Sequence, residues 1–93
     1  PMTADGELLD EASVAEQTTQ CLENIAAVLE AKDLAITDIL KTTVFLDDIE
    51  DFDSFNEAYS SFFDSDPPAR SAVGVEAVPK GAAVEIEAIV TVE

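Results

Sequence analysis

Arg70 is the only arginine in this chain of 93 residues. A guanidinium is planar, and its rigid fork of donors matches the two oxygens of a carboxylate. Arg70 follows Pro67-Pro68-Ala69, where an irregular stretch enters a segment of strand character. A strand end with a fixed entry angle is a good place to hold such a fork. A structural salt bridge to one of the chain's many acids is the competing reading, and residue type and spacing leave both open. Glu85 and Glu87 stand two apart in a stretch of period two, so they share one strand face. A carboxylate buried there without a partner would be costly. The pair therefore either lies on a wet sheet face, the simpler reading, or lines a cleft.

Other chemistries are excluded or weak. The chain has no histidine, which removes His-based triads and His metal sites. It has no glycine-rich phosphate loop and no Asp/Asn/Gly loop of EF-hand spacing. Its single cysteine, Cys21, sits in an apolar helical stripe and reads as core packing rather than as a nucleophile. One cysteine forms no internal disulfide, which suits a reducing compartment.

The elements that must position these residues follow from periodicity. Residues 1–12 read as a loop with a turn at Asp5-Gly6. Ser13 and Glu16 form a capping box that starts a helix. Val14, Cys21, Leu22, Ile25, Val28 and Leu29 carry it at helical spacing to about Ala31. A connection at 34–38 leads to a strand over 40–46, rich in Thr, Val and Phe and ended by Asp47 and Asp48. A second helix is predicted over 51–63 with Asp51 as N-cap. Its Phe52, Phe55, Tyr59 and Phe62 make one aromatic stripe, the mark of a core face. Asp66-Pro67-Pro68 breaks the chain. A strand over 70–78, a turn at Pro79-Lys80-Gly81 and a last strand over 83–92 complete the order α-β-α-β-β. In the last strand Val84, Ile86, Ala88, Val90 and Val92 face one way, and Glu85, Glu87, Ile89, Thr91 and Glu93 the other. This predicts one α+β domain with helices on one face of a mixed sheet.

Composition sets the setting. Twenty-one Asp and Glu against four Lys and Arg give a net charge of −17. Such charge opposes compaction at low ionic strength. Molar salt shortens the screening length to about 3 Å and removes most of that penalty. An intracellular protein of a salt-loving organism fits best. No apolar run reaches the ~18 residues of a membrane span, and no basic start followed by an apolar run marks a signal peptide. These features predict a cytoplasmic location.

Several ordered blocks of the chain resemble the RidA/YjgF family. Pro68-Ala69-Arg70-Ser71-Ala72-Val73, then Val78-Pro79-Lys80, then Val84-Glu85-Ile86-Glu87-Ala88-Ile89 match its C-terminal signature. Lys41-Thr42-Thr43-Val44-Phe45-Leu46, the segment from Phe52 through Asn56-Glu57-Ala58-Tyr59, and Gln17 through Leu29 are also similar. The resemblance implies a chorismate-mutase-like α+β fold and a homotrimer with a ligand cleft at each subunit interface. It implies hydrolysis of enamine/imine intermediates such as 2-aminoacrylate to 2-keto acids and ammonia, with no metal or organic cofactor. On the matching positions, Arg70 would hold the substrate carboxylate and Glu85 would position or activate water. Asn56, Ser71 and Ala72 would fall in the substrate-binding segments. Many family members carry cysteine where this chain has Ala72, which rules out thiol chemistry there and leaves a backbone contact. The family also begins with two strands bearing a Gly-Pro-Tyr motif and a Ser-Gly segment. This chain has neither motif and resembles the family from just after those strands. Two further readings are a trimer that binds small carboxylates without turnover and, from an older family label, a ribonuclease and translation inhibitor. A charge of −17 with one arginine argues against tracking a phosphate backbone.

Overall fold

The structure, a computed structural model, describes residues 1–7, 12–63 and 67–92. Asp66 of the expected chain break, Glu93 and residues 8–11 of the expected loop lie outside the described residues. The elements are helices α1 (Val14–Ala31) and α2 (Phe52–Phe62) and strands β1 (Ile39–Leu46), β2 (Ala69–Gly74) and β3 (Val84–Val90). Short 3-10 turns at Ile36–Asp38, Ile49–Asp51 and Pro79–Gly81 join them.

Helix α1 begins where its cap predicts. The Glu16 N–H donates to Ser13 Oγ at 3.1 Å, which satisfies one of the helix's free first-turn donors. The other half of the box differs: the Glu16 carboxylate takes up the Ser13 hydroxyl at 3.1 Å. Helix α2 corrects the second cap. Asp51 makes no capping hydrogen bond, because the chain enters α2 through a 3-10 turn. Asp48 caps that turn, accepting from the Glu50 N–H at 3.0 Å.

The sheet order is β2-β1-β3, with β1 central, parallel to β2 and antiparallel to β3. A register shift between Ile39 and Lys41 takes Leu40 out of the ladder, so Ile39 and Thr42 both turn inward and are buried. The inward face of β1 continues with Val44 and Leu46 and packs under both helices in one core with Leu22, Leu29, Phe55, Tyr59 and Val84. Each large apolar side chain buried this way contributes roughly 1.5–3 kcal/mol. In the aromatic stripe of α2, the ring that completes the buried row is Phe63, 4.8 Å from Tyr59. Phe62 is only half-buried.

Strand β2 is shorter than its sequence suggests. Residues 70–78 read as strand, but pairing stops at Gly74. Strand β1 ends at Leu46, whose carbonyl accepts a last bond from the Val75 N–H at 2.8 Å. Beyond it nothing in β1 remains to pair with. Gly74 lies close to the next turn: a Cβ there would stand 3.3 Å from Ile49 Cβ. The turn at Pro79-Lys80-Gly81 is present and holds Lys80 at φ 64° and Gly81 at φ 70°; only the glycine adopts that region without strain. The expected turn at Asp5-Gly6 is present too, with the Gly6 N–H donating to the Thr3 carbonyl at 2.9 Å.

Candidate functional site

Arg70 leaves edge strand β2 on the inward face. In the ladder it stands opposite Thr42 of β1, whose side chain is buried beneath α2. The guanidinium carbon lies 4.8 Å from the ring centre of Tyr59, 5.4 Å from Phe52 and 5.6 Å from Phe55. Three aromatic faces of one helix therefore bed one cation, an arrangement favoured by the ring quadrupoles. Asn56, on the same side of α2, accepts from Arg70 Nη1 through Oδ1 at 2.6 Å. Among the described residues this is the only hydrogen bond of the guanidinium, and it makes no ion pair. Among the described residues the salt-bridge reading of Arg70 finds no carboxylate partner. Among the described residues nothing else takes up the donors of the fork.

The aromatic bed is itself anchored. Tyr59 Oη and Thr42 Oγ1 lie 2.7 Å apart, a hydrogen bond between two buried hydroxyls. Spacing could have revealed this bed. Phe52, Asn56 and Tyr59 fall at i, i+4 and i+7, one face of a helix. The stripe reads as core from sequence, and it is core on one side and the seat of Arg70 on the other.

The remaining predicted residues divide between the two faces of the sheet. Ala72 pairs with Val44 and packs, half-buried, against the core on the inward face with Arg70. Ser71 pairs with Thr43 and is exposed on the outward face. Glu85 pairs with Phe45 and Glu87 with Thr43, and both carboxylates are exposed outward. The structure thus brings Arg70, Asn56 and Ala72 together. It does not bring Glu85 to them: β1 lies between their strands, and the two side chains leave the sheet in opposite directions.

A groove of about 600 Å3 runs between α1 and β3, lined by apolar side chains including Met2, Ile25, Val28, Val84 and Ile86. Glu85 and Lys80 reach its rim, and Arg70 is not part of it. Cys21 lies in this groove. Burial pushes its thiol up to about 11, helped by the nearby Glu85 charge and opposed by the N-terminal charge and an Ile86 N–H. The Sγ–H donates to the Val84 carbonyl at 3.9 Å, so the thiol packs α1 onto β3. Gln17, one turn earlier, accepts from the Ala83 N–H at 2.9 Å and donates to the Ala12 carbonyl at 2.9 Å. These contacts fix the entry of β3 and hence the position of Glu85. Among the described residues no helix is long and apolar enough to cross a membrane.

Comparison with known proteins gives this geometry a family. The model for endoribonuclease L-PSP matches residues 1–92. The RutC family protein PH0854 of Pyrococcus horikoshii is 47% identical over 76 residues, covering 82% of this chain and 60% of that protein. The human 2-iminobutanoate/2-iminopropanoate deaminase is 47% identical over 76 residues, covering 82% of this chain and 56% of that protein. The chain thus spans less than two thirds of the length of these two relatives. Among solved structures, the E. coli YjgF gene product superposes with a TM-score of 0.84 at 45% identity, over 91% of this chain and 68% of that one. E. coli TdcF with bound serine superposes with a TM-score of 0.87 at 42% identity, over 95% and 70%. The chain therefore belongs to the endoribonuclease L-PSP family, the group of the RidA, YjgF and RutC proteins.

Proposed function

We propose that this chain is a RidA-type hydrolytic deaminase that converts 2-imino acids, reached from enamines such as 2-aminoacrylate, into 2-keto acids and ammonia. The observation that carries this reading is Arg70: a cation bedded on three rings, held by Asn56 and free of any ion pair among the described residues. A 2-imino acid presents a planar carboxylate that the rest of the fork can bind in parallel bonds. The relatives named as deaminases and the serine-bound TdcF support the same ligand class.

The chemistry then needs a water and a base. Water oxygen bonds to the imine carbon while a carboxylate, Glu85, takes its proton. The nitrogen gains protons and leaves as ammonia, and the carbonyl of the keto acid forms as the C–N bond breaks. Orientation by Arg70 supplies much of the acceleration, because the imine is already reactive. Within one copy Glu85 stands on the wrong face of the sheet, so the site is shared: Arg70, Asn56 and Ala72 come from one copy and Glu85, with the exposed Ser71 beside the contact, from another. A closed ring of copies, the homotrimer expected from the family, satisfies this. The 93 residues act as one domain of a cytoplasmic, salt-adapted protein without a metal or organic cofactor.

Ammonia release from freshly generated 2-aminoacrylate, measured in molar KCl, tests the reading. Binding of 2-keto acids without any ammonia release would instead identify a carboxylate-binding assembly. Nuclease activity is disfavoured by the net charge of −17.

A further inference from the structure

Arginine is among the side chains with the most conformational freedom to lose on binding a ligand. Arg70 has already lost much of it. Tyr59 supplies the nearest of the three rings, 4.8 Å from the guanidinium carbon. That ring cannot slide along the core, because its hydroxyl is bonded to Thr42 at 2.7 Å. Thr42 is itself fully buried on the central strand, directly opposite Arg70 in the β1–β2 ladder. The three residues close a loop: the Arg70 side chain lies on Tyr59, Tyr59 is tied to Thr42, and Thr42 is paired through the backbone with Arg70.

A buried hydroxyl pair is an expensive way to fill a core. Replacing both partners by apolar groups of the same shape is nearly neutral for stability, whereas removing one strands the other. A Val and a Phe would fill the same two places. What the hydroxyls add is a fixed position for the ring, set from the strand beside Arg70. From this geometry we infer that Tyr59, anchored by Thr42, is a positioning residue that pre-orders Arg70 for a planar carboxylate. Tyr59 acts through Arg70 and does not touch the ligand. Pre-ordering raises affinity because the entropy of fixing the side chain is lost on folding rather than on binding. The inference rests on the carboxylate-binding reading of Arg70.

The experiment uses the single arginine. With arginine labelled by 15N, only Arg70 gives side-chain Nε–H signals, so its state is read without assignment. In the wild type, in molar KCl, the Arg70 side-chain protons are displaced upfield by the rings beneath them. The double variant Thr42→Val/Tyr59→Phe keeps the volume and the ring but loses the anchor. It is expected to fold, to move those signals toward free-arginine values, and to bind 2-oxobutanoate about three- to ten-fold more weakly. Arg70→Lys serves as the second arm and weakens 2-oxobutanoate binding by more. Free-arginine shifts in the wild type overturn the inference with no variant needed. So does a double variant with unchanged shifts and unchanged affinity, provided Arg70→Lys does weaken binding. If Arg70→Lys binds 2-oxobutanoate like the wild type, the carboxylate reading itself fails and the inference falls with it.

Discussion

Arg70 and Glu85 stand on opposite faces of one three-stranded sheet, on the two strands that flank β1. Neighbouring strands lie about 4.8 Å apart, so two such steps and the thickness of the sheet separate the groups. No rotamer joins them. A cleft that uses both must be built from two copies of the chain.

In the proposed deaminase the roles of the two groups should separate kinetically. Arg70→Lys keeps the charge and loses the bidentate fork. It is expected to weaken 2-keto-acid binding by roughly ten- to a hundred-fold, the worth of about 1.5–3 kcal/mol in charge-assisted hydrogen bonds. Glu85→Gln keeps the shape and removes the base, so turnover falls while ligand affinity holds. Glu87→Gln, one pleat away on the same outward face, is the comparison. Loss of turnover in Glu87→Gln with normal turnover in Glu85→Gln would reassign the base.

Sharing between copies has its own signature. Light scattering in high salt is expected to give a trimer. Mixed assemblies of Arg70→Lys and Glu85→Gln chains, dissociated and reassembled together, should regain part of the ammonia release that each lacks alone. A clean monomer, or no recovery on mixing, would put both groups outside a shared cleft.

Salt should govern stability. With a net charge of −17, self-repulsion opposes the folded state in dilute buffer and is screened in molar KCl. The melting temperature should rise with KCl concentration. Equal melting temperatures in both would remove the salt-adapted reading.

Cys21 should be chemically quiet. Its thiol is raised from 9.0 to about 11, chiefly by burial. The folded state favours the protonated thiol. That contribution to stability is therefore complete below pH 9.0 and is lost as pH climbs through about 11. At pH 8 a thiol reagent should label the native protein far more slowly than the urea-unfolded chain. Equal rates would show that the thiol is not held in the groove.

Local chemistry made much of this legible. The Ser13–Glu16 cap, the helical stripe of α1 and the alternation along β3 each depend on residues within one turn or one pleat and were legible, although Glu16 meets the Ser13 hydroxyl rather than its N–H and Val28 of the stripe is exposed. What depends on a distant partner was not. The end of β2 at Gly74 is set by where β1 stops, not by the strand-forming residues that follow. Asp51 stands at the N-cap of α2 as read but makes no capping bond, because the chain enters through a 3-10 turn that Asp48 caps at the Glu50 N–H. Glu85 and Glu87 were readable as sharing a face, but their relation to Arg70 needs the registers of two ladders at once. The blocks around Arg70 and Glu85 matched a family by order and spacing, which locates residues without saying which way they point.

The sheet order β2-β1-β3 also bears on how the molecule is made. Of these three strands the middle one is synthesised first, so β1 must wait for β2 and β3 to arrive on either side. In that interval the edge groups of Lys41 to Leu46 and the apolar row Val44 and Leu46 are exposed together, a template for pairing with another chain. The acids spread along the chain keep such intermediates apart by mutual repulsion. Screening that repulsion favours the finished fold and, at the same time, removes the guard on the unfinished one. Refolding yield should therefore peak at an intermediate salt concentration, below the one at which the native protein is most stable.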